Sequence, residues 1–222
     1  MSVPSDHPAA RLCAALPADE LAALIRGGAV VDDELFDRFL PLRLRVASGV
    51  FWTPLVVAAR ASVWLAEAGV GSVVDIGAGV GKFCVAAALA TRCRYIGVEH
   101  RARLVAAAGR LARLFRVEDR VTFVTTSLDP HTLPVADAYY LYNPFGENRL
   151  GPDGHLDEDV ELGEARYRGD VEAVEAVLRD ARAGTHVITY NGFGGAVPDG
   201  WAQVRVDRTL PNMLRMWVKR GG

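Results

Sequence analysis

The sequence predicts an α/β fold: a three-layer sandwich around a mostly parallel, seven-stranded sheet that closes in an antiparallel C-terminal hairpin. Three observations predict it. From Ser72 onward short apolar runs alternate with helical patterns, the alternation that right-handed β-α-β crossovers require. The first run ends in glycines, Gly77, Gly79 and Gly81, and opens directly into a helix. The last two runs, 202–207 and 212–218, are separated only by Arg208, Thr209, Leu210 and Pro211. That is too short for a crossover, so those two strands must pair antiparallel.

The elements follow in order. Residues 1–16 carry no periodic pattern and read as loosely ordered. Pro17 begins a helix with Asp19 and Glu20 near the positive end of its dipole, and Gly27 and Gly28 end it. A second helix, 33–40, stops at Pro41. A third starts at Thr53-Pro54, with Thr53 as its cap, and runs to Gly69. Strands are expected at 72–76, 94–99, 121–125, 137–142 and 185–190, and helices at 81–92, 101–117 and 164–183. The glycine- and charge-rich segment 146–163 reads as a mobile loop. Residues 1–50 read as a helical extension and 51–222 as the ligand-binding domain.

Bulk properties narrow the function classes. Half of the 222 residues are hydrophobic, and a net charge of −2 with interspersed signs gives no strong nucleic-acid signal. The N-terminus lacks the basic flank and apolar run of a secretory signal. The greasy stretch 50–68 is interrupted by Thr53, Pro54, Arg60, Ser62 and Glu67, too polar for a membrane span. Cys13, Cys84 and Cys93 have no metal-ligand spacing, and the five histidines are dispersed, so no metal site is expected. Reduced thiols fit a cytoplasmic protein.

The chemistry concentrates in Asp75-Ile76-Gly77-Ala78-Gly79-Val80-Gly81-Lys82. Glycines let a strand-to-helix turn approach a ligand with no Cβ in the way, although such turns also serve structure alone. The dinucleotide fingerprint wants a glycine at the sixth position from Gly77, where this chain has Lys82. Asp75 precedes the turn, poorly suited to a pyrophosphate and well suited to a ligand carrying positive charge. A nicotinamide-dependent oxidoreductase is therefore the weaker reading. The next strand closes on Gly97-Val98-Glu99-His100, and an acid there can accept both ribose hydroxyls of an adenosine ligand. A third strand ends in Asn143-Pro144-Phe145, which is either a ligand-facing element or an ordinary turn.

Asp-Ile-Gly-Ala-Gly-Val-Gly followed by Gly-Val-Glu resembles the first two motifs of the class I S-adenosylmethionine-dependent methyltransferases, over roughly residues 50–218. The resemblance implies a Rossmann-like seven-stranded fold and S-adenosyl-L-methionine as cofactor. It also implies that Asp75, Gly77, Ala78, Gly79 and Gly81 surround the methionine part and that Glu99, with His100 beside it, holds the ribose. The family's adenine-side acid falls near Ser127, a departure from the pattern. Thr53, in Phe51-Trp52-Thr53-Pro54, matches an aromatic-Thr-Pro element that covers the methionine end in several members. Asn143-Pro144-Phe145 is similar to the Asn/Asp-Pro-Pro-aromatic motif of amino-group methyltransferases, one proline short. It implies that Asn143 and a backbone carbonyl orient an acceptor nitrogen while Phe145 stacks on it. There is also a thinner resemblance to the non-SET histone-lysine methyltransferases. The alternative to an enzyme is a binding module that keeps the fold without turnover; the acceptor and the oligomeric state are not legible.

Overall fold

The computed structural model describes residues 16–221. Within them one sheet is built from β1 (Ser72–Ile76), β2 (Arg94–Glu99), β3 (Val121–Thr125), β4 (Ala138–Tyr142), β5 (His186–Tyr190), β6 (Trp201–Asp207) and β7 (Leu214–Lys219). The spatial order is β3-β2-β1-β4-β5-β7-β6. The first five are parallel, and β7 lies antiparallel between β5 and β6. The predicted hairpin and parallel core are both present. Strand order reverses at β1, whose neighbours are β2 and β4, so the carboxyl ends of these three strands flank the crevice where open α/β sheets take ligands.

The helices are α1 (Ala18–Arg26), α2 (Asp33–Asp37), α3 (Leu42–Val46), α4 (Ser48–Phe51), α5 (Leu55–Glu67), α6 (Lys82–Ala90), α7 (Ala102–Leu114) and α8 (Glu164–Asp180). Side chains alternate across the strands, so each face of the sheet has its own core. Val73, Tyr95, Tyr140 and Ile188 pack with Leu21 of α1, Leu65 of α5, Phe83 of α6 and Leu111 of α7. Val74, Ile76, Val98, Leu141 and Val187 pack with Val174 and Leu178 of α8 on the other face. The Phe83 ring stacks on Tyr140 with centroids 3.6 Å apart, fastening α6 to β4.

Several boundaries differ from the sequence reading, each for a local reason. The second predicted helix is shorter, and α3 and α4 follow it unpredicted. Thr53 is not the cap of α5. Its hydroxyl lies 3.2 Å from the Tyr140 hydroxyl, and Asp33 of α2 instead accepts the Leu55 N–H at 2.9 Å. The 101–117 helix ends at Leu114 because Arg116 turns left-handed, with φ 55°. The stretch Ser48–Glu67 has the length and apolarity of a membrane span. In the fold it is two helices broken at Trp52-Thr53-Pro54, and half of it is buried in the protein. The segment 146–163 is held down by ion pairs (below) and contains two short 3-10 turns, Gly146–Arg149 and Pro152–Gly154. The loose order read for residues 1–16, and Cys13, fall outside the described residues apart from Leu16. Cys84 and Cys93 are buried and free.

Candidate functional site

The glycine turn is made by three left-handed residues, Gly77 (φ 78°), Gly79 (φ 54°) and Gly81 (φ 72°). Gly77 and Ala78 both donate their N–H groups to the Val98 carbonyl, at 2.9 and 3.0 Å, which ties the turn to the end of β2. A Cβ on Gly77 would meet Pro144 at 2.7 Å, and one on Gly79 would meet the Trp52 ring at 2.5 Å. These two glycines line the crevice. Gly81 lines neither cavity of that crevice, and a Cβ there would meet Phe123 of β3 and Ala108 of α7. Ala78 is likewise buried under the turn, against Gly97.

Glu99 is the hinge of the site. Its Oε2 accepts the Gly79 N–H at 3.0 Å and its Oε1 accepts the Arg101 N–H at 2.9 Å. One buried carboxylate thus joins the glycine turn to the residue just before α7, and each oxygen keeps a second lone pair for a ligand. His100 follows it, with Nε2 3.8 Å from Glu99 Oε1 and Nδ1 3.4 Å from the Arg166 guanidinium. Burial pushes the imidazole pKa below its ordinary value; Glu99 opposes this, and Arg101 and Arg166 add to it. His100 Nε2 is buried without a hydrogen-bond partner. Asp75 lies beneath the turn, 4% exposed, and accepts the Cys84 thiol at 3.3 Å. Burial raises its pKa from 3.8 to about 7, and the neighbouring Glu99 charge adds to the shift.

Two cavities flank the Glu99 carboxylate, and Asp75 lines neither. One, about 160 Å³, is lined by Phe51, Trp52, Gly77, Gly79, Tyr142 and Asn143 among others. The second, about 50 Å³, is lined by His100, Thr126, Leu128 and Arg166 among others. Both share Gly77, Glu99, Arg101, Pro144 and Glu147. Arg101 donates to Glu147 and to Asp157, each at 3.0 Å, so the Arg101–Glu147 pair stands between the two spaces. Glu147 also accepts the Leu156 N–H at 2.7 Å, and Arg103 pairs with Asp157 and Asp159. This network straps 146–163 over the crevice, contrary to the free loop expected from its composition. No group of metal ligands occurs among the described residues.

The remaining predicted residues divide. Asn143 lies at the rim with φ 38°; its N–H donates to the Gly192 carbonyl at 3.0 Å, and its side chain packs on Gly146. Pro144 covers Gly77. Phe145 is 6% exposed and belongs to the core with Val74, Ile76 and Val98. It also borders the smaller cavity, while the aromatics of the larger one are Phe51, Trp52 and, three residues before Phe145, Tyr142. Ser127 is exposed, while its neighbours Thr126 and Leu128 face the smaller cavity; alternation along an extended segment puts Ser127 on the wrong side. Thr53 is buried beside Tyr140 and lines neither cavity. Sequence reasoning missed Arg101 and Glu147; the only available signal was a basic residue two positions after the acid of β2.

No protein-family model and no curated protein matches the chain. Solved structures resemble it at low identity. An RNA methyltransferase from Salinibacter ruber in complex with S-adenosyl-L-homocysteine is 21% identical over 77% of this chain and 94% of that one, with a TM-score of 0.54. An O-methyltransferase from Bacillus cereus, also in complex with S-adenosyl-L-homocysteine, is 12% identical over 94% of this chain and 100% of that one, with a TM-score of 0.58. TrmN from Thermus thermophilus is 18% identical over 83% of this chain and 53% of that one, with a TM-score of 0.55. These likenesses show the class I methyltransferase fold.

Proposed function

We propose that this chain, with its class I methyltransferase fold, is an S-adenosyl-L-methionine-dependent methyltransferase that acts on a neutral amine or amide nitrogen. The observation that carries the reading is the convergence of Gly77 and Gly79 with the Glu99 carboxylate on one crevice at the strand-order reversal. Two structurally similar enzymes hold the demethylated cofactor, S-adenosyl-L-homocysteine.

The residues present fit that ligand. Gly77 and Gly79 offer a backbone cradle without side chains, Glu99 has free lone pairs for two ribose hydroxyls, and Thr126, Leu128 and His100 line the smaller cavity on the side where the adenine would lie. Ligand pockets of this class occupy about 300–1,000 Å³. The two cavities, about 160 and 50 Å³, fall short of that, so binding requires the 146–163 strap to rise. The bound cofactor supplies a methyl group already activated on a sulfonium. The protein's task is alignment and water exclusion. In this reading the Asn143 side-chain carbonyl accepts an N–H of the acceptor and aims its lone pair into the crevice. Trp52 and the strap exclude water, and a neutral amine requires no general base for the transfer.

The test is transfer of labelled methyl to a panel of amine, hydroxyl and RNA acceptors. Label on nitrogen, with kcat lowered about 10- to 100-fold by Asn143→Gly, supports the reading. Glycine is chosen because it tolerates the positive φ at that position. Label on oxygen or carbon would overturn the nitrogen assignment and leave the cofactor assignment standing. Cofactor binding without transfer to any acceptor would favour a non-catalytic module.

A further inference from the structure

We infer that Lys82 is a positioning residue for the cofactor site, acting through Trp52; the inference rests on the cofactor reading above. Lys82 is the first residue of α6, directly after Gly81, and only 2% exposed. Its ammonium lies 2.6 Å from Asp33, 2.7 Å from Asp37 and 3.1 Å from the Ser48 hydroxyl. The Ser48 hydroxyl accepts a hydrogen bond from it, and the two carboxylates meet it as ion-pair partners. Such a charge is costly to bury and stays only where partners hold it.

What those partners hold is the point. Asp33 and Asp37 lie on α2, and Ser48 starts α4. Asp33 also accepts the Leu55 N–H that opens α5. One lysine therefore fixes the helices on both sides of Trp52, which sits between α4 and α5. The Trp52 indole N–H donates to the Leu44 carbonyl at 2.8 Å, and its ring covers Gly79 closely enough to exclude any Cβ there. Trp52 is the common wall of two spaces. One is the cavity of about 160 Å³ with Gly79, Glu99 and Asn143. The other, about 530 Å³, is lined by Asp33, Asp37, Ser48 and Lys82 among others. The ionic knot lies on one side of the ring and the glycine turn on the other. Loss of the knot frees the ring from the turn without touching any ligand-facing atom of Gly77, Gly79 or Glu99.

A lysine that served the fold alone would affect melting and nothing else. The double variant Lys82→Met/Asp37→Leu separates the roles, because replacing both halves of a buried pair with apolar groups commonly preserves stability. Binding of S-adenosyl-L-homocysteine is measured by calorimetry. Trp52 emission is followed in a chain whose other tryptophans, Trp64, Trp201 and Trp217, are phenylalanine. The expected result is a melting temperature near that of the parent, a Kd raised at least tenfold and a red-shifted Trp52 emission. Lys82→Arg, which keeps the charge, should restore part of the affinity. A folded double variant with parental Kd and emission would overturn the inference. Should the double variant not fold, Ser48→Ala removes one of the three contacts and is expected to raise Kd several-fold; an unchanged Kd there also overturns it. If the parent chain binds no S-adenosyl-L-homocysteine, the cofactor reading fails. The emission of Trp52 still reports whether the knot holds the ring.

Discussion

Glu99 and Gly79 are joined by a 3.0 Å hydrogen bond from the backbone N–H of the turn to the carboxylate that ends β2. The same carboxylate accepts the Arg101 N–H, so the acid shapes the cradle as well as facing it. Glu99→Gln keeps the volume but gives up one acceptor oxygen. The loss of a buried acceptor costs about 1–3 kcal/mol, and one side of the turn loses its tether. We predict that affinity for S-adenosyl-L-homocysteine falls at least tenfold while the fold survives, as read by calorimetry and circular dichroism. Unchanged affinity would mean that Glu99 serves the turn only.

Gly79→Ala tests the contact from the other side. A Cβ there would lie 2.5 Å from the Trp52 ring at a φ of 54°. Strain and clash together should cost on the order of 1–3 kcal/mol, and adenosyl binding should be lost. Adding Trp52→Ala relieves the clash but not the strain, so stability should recover only in part. Thermal melting of the three variants checks the order.

Asp75 gives a pH dependence whose sign follows from burial. Its folded pKa is about 7, raised from 3.8, so the native state binds this proton more tightly than the unfolded chain. The resulting penalty is absent below about pH 4, grows as pH rises toward 7 and is constant above it. It reaches at most on the order of 4 kcal/mol. Asp75→Asn should therefore be more stable than the parent at pH 8 and close to it at pH 4.5 in urea unfolding. A stability difference independent of pH would contradict the assignment.

The Arg101–Glu147 pair, at 3.0 Å and largely buried, stands between the two halves of the crevice. Glu147→Gln removes the charge that holds the strap, and buried pairs broken on one side lose about 3–5 kcal/mol. We predict faster association of S-adenosyl-L-homocysteine in stopped-flow fluorescence, together with faster proteolysis within 146–163. An unchanged association rate would show that the strap does not gate entry.

Much of this was legible in the sequence because it is local. The strand Ser72–Ile76, the glycines after it and Glu99 at the end of the next strand lie within one β-α-β unit, where apolar run length and turn chemistry decide the structure. The closing hairpin was legible for the same reason. What escaped was non-local or aperiodic. In Leu42-Arg43-Leu44-Arg45-Val46 the apolar residues alternate with arginines, a strand-like pattern, yet the segment is the short helix α3. The partners of Lys82 lie between Asp33 and Ser48, far upstream, and no spacing rule brings them together. The segment Asn143-Pro144-Phe145 reads either as a ligand-facing element or as an ordinary turn; Phe145 packs in the core with Val74, Ile76 and Val98 and also borders the smaller cavity, a placement no local pattern specifies.

The crevice between Gly79 and Glu99 takes an adenosyl cofactor in the proposed function. Calorimetric titration of the purified chain with S-adenosyl-L-methionine and S-adenosyl-L-homocysteine, with NAD as control, tests it most directly. The expected result is saturable, micromolar, one-to-one binding of both adenosyl compounds, weakened by Glu99→Gln and absent for NAD. No binding of either compound, or binding of NAD in preference to them, would contradict it.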